Sequence, residues 1–194
     1  MQTPVQQGGF TLQELMIALA IFFILAVVGV PNYVGYVRNS ELSNSTTTLF
    51  SDMYYARSEA IKRKTPITLC RSADAKANAP VCGGGANDWT KGWLVFVDLD
   101  SNGSYESGTD DLLRVNRPPS GNVQIRSNNN ATSRIEFSTD GSLVTTFAPA
   151  IFAVCDDRDA DGSYDETHGR NIRVGPMGRP EITTGSIPSC SNPA

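Results

Sequence analysis

Several things are scarce in this 194-residue chain, and each scarcity excludes something. There is one histidine, His168, and no cysteine in a plausible nucleophile setting, so general-base catalysis has little support. No C-x-x-C spacing occurs, which argues against a zinc ribbon. No phosphate-cradling glycine loop, dinucleotide fingerprint or catalytic triad is present. The chain therefore reads as a protein that is not an enzyme, with no catalytic residue, cofactor or metal assigned. Excess positive charge is also missing. A formal net charge of −4 argues against bulk nucleic-acid binding, which relies on clustered Lys and Arg, and leaves room for a local basic tip. The first cation is Arg38, so no basic residue precedes the hydrophobic run near the N-terminus.

That run is the most informative positive feature. Residues 8–15 read Gly-Gly-Phe-Thr-Leu-Gln-Glu-Leu, and from Leu15 to Val30 no side chain is charged or strongly polar; Pro31 closes the run. A spanning helix needs roughly 20 apolar residues, and 10–30 supplies that length with Gln13 and Glu14 at one end. A carboxylate in such a segment is expensive and marks a functional site when a partner can be named. Cleavage between Gly9 and Phe10 would supply that partner. Phe10 would carry a new amine one helical turn from Glu14, and Glu14 of one subunit would neutralise the amine of its neighbour. An ordinary secretory signal has a basic start and a shorter apolar stretch. Neither is found here.

This pattern resembles the class III signal of type IV pilins and type II secretion pseudopilins. The resemblance implies cleavage after Gly9 by the prepilin peptidase, N-methylation of Phe10, and roles for Glu14 and Pro31 in filament assembly. It also implies a single-pass inner-membrane protein with a periplasmic head that later enters a pilus at the cell surface. The expected parts are a leader at 1–9, a membrane and filament-core helix at 10–31, the rest of the helix at 32–64, and a β-rich head at 65–194.

Beyond the run, Gly29, Pro31 and Gly35 are expected to bend or loosen the helix. Ser43–Thr48 is rich in poor helix formers. Helical periodicity returns with Leu49, Met53, Ala56 and Ala60, one apolar stripe suited to packing on a sheet. Lys62, Arg63 and Lys64 read as a solvated helix end. After Pro66 the pattern predicts strands near 67–71, 92–98, 112–116, 123–126, 134–138, 143–147, 151–155 and 171–175. Asn102-Gly103, Asp140-Gly141 and Asp161-Gly162 supply turns between them. The fold expected is α+β: a long N-terminal helix packed on an antiparallel head, with Trp93, Leu94 and Phe96 set against the helix stripe.

Four cysteines in an exported domain admit three disulfide connectivities. Neighbour pairing, Cys70–Cys82 and Cys155–Cys190, is the expectation. Asp98-x-Asp100-x-Asn102-Gly103 and Asp157-x-Asp159-x-Asp161-Gly162 both look like the start of a calcium loop. The position for the closing Glu holds Thr109 in one and His168 in the other, so neither completes the pattern; Asp110 and Asp111 are late candidates for the first. His168, beside Gly169, reads as a turn residue.

The order Tyr55-Ala56-Arg57-Ser58-Glu59-Ala60-Ile61-Lys62, a strand ending in Cys70, Trp89-Thr90-Lys91-Gly92-Trp93-Leu94-Val95-Phe96-Val97-Asp98, and then Leu112-Leu113-Arg114 is similar to the GspH/FimT family. That family contains minor pseudopilins and FimU-like and FimT-like minor pilins. The function implied is a minor pilin in a tip or priming complex, with other minor pilins, the major pilin and the inner-membrane assembly platform as partners. A type II secretion pseudopilin is the first alternative. The second is a DNA-receptor minor pilin using Arg170, Arg173 and Arg179, although Gly169-Arg170-Asn171-Ile172-Arg173 departs by one residue from the Gly-Arg-x-Arg motif of such receptors.

Overall fold

A computed structural model of the chain describes residue 9 and residues 11–119, 121–144, 148–158, 162–184, 189–191 and 193; the side chains of residues 28 and 31 are excepted. The first element is helix α1, Leu12–Arg63, which is continuous through Gly29, Pro31 and Gly35. It belongs to two compact units, residues 1–39 and residues 40–194. Residues 40–63 of the helix are thus part of the head unit.

In the first unit the large apolar side chains from Leu12 to Val30, where described, are all exposed. In the head unit α1 buries a stripe instead. Leu42, Leu49, Met53, Ala56 and Ala60 are fully buried. The stretch of poor helix formers is helical, and its hydroxyls bond back one turn: Ser45 to the Glu41 carbonyl at 2.8 Å, Thr46 to Leu42 at 2.7 Å and Thr48 to Asn44 at 2.8 Å. This satisfies donors that would otherwise be buried unpaired, as at Thr46.

The strands are β1 (Ile67–Arg71), β2 (Trp93–Val97), β3 (Asp111–Asn116), β4 (Val123–Ser127), β5 (Arg134–Phe137), β6 (Ala150–Asp156), β7 (Arg170–Val174) and β8 (Pro180–Thr184). They form two antiparallel four-stranded sheets rather than one, ordered β3-β2-β1-β5 and β4-β6-β7-β8. Two strand expectations differ from this. Around 143–147 the described residues hold only an isolated bridge between Phe137 and Leu143, while residues 145–147 lie outside them. Strand β8 was not anticipated, because Gly178-Arg179-Pro180 reads as a loop. Pro180 opens the strand on a sheet edge, where its missing N–H costs no ladder bond.

The core lies between the helix stripe and both sheets and includes Ile67, Leu69, Trp93, Val95, Ile125, Phe152 and Ile172. Trp93 therefore packs as expected, but Leu94 and Phe96 do not face the helix. They form a separate cluster on the outer face of the first sheet with Cys70, Cys82, Tyr105 and Leu112. Period-two alternation dictates this, since neighbours on a strand point to opposite faces.

Trp89 anchors the loop before β2 on the second sheet. Its amide bonds to the Ile125 carbonyl of β4, its ring nitrogen donates to Ser127 Oγ and the Ala131 carbonyl, and its ring meets Phe152 edge-on at 5.0 Å. A β-bulge between β2 and β3 at Val95/Phe96 shifts register so that Arg114 and Asn116 lie opposite Val95 and Trp93 on the core face.

Candidate assembly and binding sites

The N-terminal end of α1 is built by Thr11. Its hydroxyl accepts the Glu14 amide at 3.2 Å, and its carbonyl accepts the Leu15 amide. Thr11 is thus the N-cap and Glu14 the third helical residue, the spacing of a capping box. A carboxylate in the first turn also suits the positive end of the helix dipole. Gly9 is exposed, with open space around it, whereas Phe10 and the leader residues 1–8 lie outside the described residues. Pro31 sits within α1. By length and composition α1 is able to cross a membrane.

The cysteines form two disulfides, Cys70–Cys82 and Cys155–Cys190. The first closes the loop that follows β1. The second pins the C-terminal tail to the outer face of the second sheet, where Ala153, Cys155 and Cys190 are buried together.

Asp52 was missed by sequence reading. It is a buried carboxylate on the helix stripe, between Leu49, Met53 and Ala56. Trp93 Nε1 donates to it at 2.8 Å, Arg114 Nη1 at 2.8 Å, and the Asn116 amide completes the set. Arg114 also stacks on the Tyr55 ring at 3.6 Å. These bonds fasten the edge strand to the helix. An acidic residue at a stripe position was the available signal. Trp93 and Asn116 also line a surface pocket of about 340 Å³ with Asn44, Ser45, Thr48, Arg117, Pro118 and Pro119.

Carboxylate oxygens of Asp98, Asp100 and Asp110 lie within 4.8 Å of one another. Backbone amides occupy them: Gly103 and Asn102 donate to Asp98, and Leu99 and Glu106 to Asp110. Burial pushes the Asp98 carboxyl above its ordinary range. Asp111 instead bridges to Arg63 at 3.1 Å. In the second acidic loop Asp157 accepts the Gly162 amide, and Asp159 and Asp161 lie outside the described residues. His168 Nδ1 meets Asp165 at 2.7 Å. Hydrogen bonds from Thr167 and then His168 hold the Asp165 carboxyl down at about 2.

The three arginines do not all share one face. Arg170 and Arg173 are three apart on β7 and so face opposite sides of the sheet, while Arg179 lies in the turn before β8. Arg173 sits opposite Glu181.

A long apolar-then-amphipathic helix leading into an antiparallel β head defines a pilin-like subunit. The chain belongs to the GspH family, described as type II transport protein GspH, whose model matches residues 45–178. Residues 5–30 match the prokaryotic N-terminal methylation motif. Among similar proteins, the type IV major fimbrial protein FimA of Dichelobacter nodosus is 33% identical over 104 residues, 54% of this chain and 55% of FimA. Prepilin peptidase-dependent protein D of Escherichia coli K12 is 32% identical over 82 residues, 42% of this chain and 47% of that protein. This chain thus spans about half the length of these relatives. The crystal structure of the type IV minor pilin FimU of Pseudomonas aeruginosa superposes with a TM-score of 0.60 at 22% identity, covering 80% of this chain and 98% of FimU, which shows a shared fold.

Proposed function

We propose that this chain is a minor pilin of a type IV pilus, a structural subunit rather than an enzyme. It is made as an inner-membrane precursor, cut between Gly9 and Phe10, and methylated on Phe10. Residues 10–31 then hold it in the membrane and, later, in the filament core. Glu14 neutralises the N-terminal amine of a neighbouring subunit, and Pro31 closes the packed segment. The head sits near the tip, in a priming complex with other minor pilins above the major pilin. The observation that carries this reading is the junction of a methylation motif, an all-round apolar helix and a GspH-type head in one chain.

The family's description favours a second reading, a minor pseudopilin of a type II secretion machine, with the same processing. Intact-mass and N-terminal peptide spectra of the protein from sheared pili and from membranes test both. A chain starting at methylated Phe10 in the sheared fraction is the expected result. Processed chain confined to membranes would favour the pseudopilin. A chain beginning well after Val30 would overturn both.

A further inference from the structure

The two sheets have four edge strands, β3, β5, β4 and β8, and three of these edges are occupied or broken. Beside β5, the Ser138 amide donates to the Ser142 carbonyl at 2.8 Å and the Val144 amide to the Glu136 carbonyl at 3.0 Å. Beside β4, the loop before β2 takes the place of a strand: the Ser127 amide donates to the Asn87 carbonyl at 2.9 Å and the Trp89 amide to the Ile125 carbonyl at 3.0 Å. Along β3 runs the bulge, and its Asp111 and Arg114 are in ion pairs with Arg63 and Asp52. Bulges and charges of that kind keep an edge from accepting a further strand. Among the described residues, β8 has no such cover.

Hydrogen bonding along β8 alternates. The Gly175 amide donates to the Arg179 carbonyl at 3.4 Å, which makes these two residues a hydrogen-bonded pair at the start of the β7–β8 ladder. In an antiparallel ladder such pairs recur at every second residue. Arg173–Glu181 and Asn171–Thr183 are therefore the next two. The backbone groups of Pro180, Ile182 and Thr184 point the other way, off the edge of the sheet. They are three carbonyls and two amides, because Pro180 has no N–H. Residues 181–184 are all exposed, and no described group bonds to this outward row.

The side chains end in the same incomplete way. Phe152, Ile172 and Ile182 form one row across β6, β7 and β8. The first two are fully buried, whereas Ile182 is 38% exposed, so the row lacks a neighbour on its outer side. Glu181 is the only charged side chain of β8, and it stands opposite Arg173. Cys190, six residues after Thr184, is fixed to Cys155 of β6, two strands in from this edge.

A second copy of β8 is a poor occupant. In an antiparallel pair centred on Ile182, the Thr184 carbonyl of each copy would face a Pro180 that has no N–H to give. Pro180 thus guards the edge against self-pairing, while a strand from a different chain, without proline at that place, satisfies all the outward groups. We infer that β8 accepts an added antiparallel strand from another pilin subunit, with a β-branched residue set beside Ile182. The inference rests on the assembly reading above and deepens it by naming the contact that the head makes.

Hydrogen exchange resolved to single amides, on the full chain in detergent micelles and in sheared pili, tests it. In micelles the amides of Glu181 and Thr183 should exchange slowly and those of Ile182 and Thr184 fast. In pili the latter two should slow by at least about tenfold. Thr184→Pro removes an outward N–H and no ladder bond, so entry into pili should fall about tenfold while the head's melting temperature holds. Thr184→Val keeps that N–H and should enter pili normally. Thr183→Pro removes a ladder bond and should lower the melting temperature itself. Fast exchange at Ile182 and Thr184 in pili would overturn the inference. So would slow exchange in the dilute chain, which would assign the edge to the chain's own tail, or slowing that grows with concentration in micelles, which would assign it to a second copy. A chain processed at Phe10 that enters pili with this edge open would sink strand addition and leave the pilin reading intact. A chain absent from pili would remove the pilin reading, and a peptide then decides the edge alone. Acetyl-Thr-Thr-Val-Thr-Thr-amide should shift the Ile182 and Thr184 amide resonances, and its N-methylvaline form should not; equal effects of the two peptides, or none, would overturn the edge as a site.

Discussion

Leu19, Phe22 and Phe23 in the first part of α1 stand exposed, while Leu49, Met53 and Ala56 in its second part are completely buried. The backbone geometry is the same helix throughout. What differs is how apolar residues are placed around the axis. In the first part they occupy every side, which suits a lipid or helix-packed surround. In the second they form one stripe, with Asn44, Thr47, Ser51 and Ser58 exposed elsewhere. One element is thus written for two solvents, and the change falls where the two compact units meet, between Asn39 and Ser40.

The sharpest way to test that contrast is the same substitution on both sides. Leu49→Ala should destabilise the head by about 2–5 kcal/mol through lost burial and a residual cavity. Leu19→Ala should leave the head's unfolding within about 0.5 kcal/mol. Thermal unfolding of the full chain in detergent, followed by near-UV signal from the head, reads both. Equal effects would erase the distinction between the two parts.

Replacing Cys155 and Cys190 together by Ser removes a link across 35 residues. A loss of about 3–4 kcal/mol is expected from the unfolded chain's regained freedom. It should appear in the same head transition and spare the helicity of the first part.

Acid gives a smaller effect confined to the head. Asp165 titrates at about 2 in the folded chain, below its ordinary value. A depressed carboxyl contributes stability that is present above pH ~4 and is lost as pH falls towards 2. Its partial exposure limits this to about 1 kcal/mol. Asp165→Asn should flatten that part of the pH–stability profile.

Glu136 should give the smallest shift, with the opposite sign. Burial, and then the nearby charge of Asp98, push its carboxyl above the ordinary range. The folded state therefore loses stability as pH rises through that window. Glu136→Gln should raise the melting temperature slightly at neutral pH and leave it unchanged in acid.

Much of the architecture could be read from residue patterns, because local periodicity reports which face is buried. The stripe from Leu49 to Ala60 and seven of the eight strands follow from spacing and turn residues. Leu94 and Phe96 were misplaced because a five-residue apolar run does not say which of its two faces meets the helix. Strand β8 was missed because its Pro and Glu suit a loop as well as a protected edge. The Asp52 tie needed partners 41, 62 and 64 residues away, a separation that no local pattern carries.

The sequence alone determined the processing motif, the apolar segment with its single carboxylate, and the amphipathic stripe, since each depends on neighbours within a few helical turns. Tertiary structure decided the division into two sheets, the burial of Asp52, and the placing of Arg170 and Arg173 on opposite faces of β7. Those outcomes depend on residues far apart in the chain meeting on one surface, and only the closed packing of helix and sheets fixes which ones do.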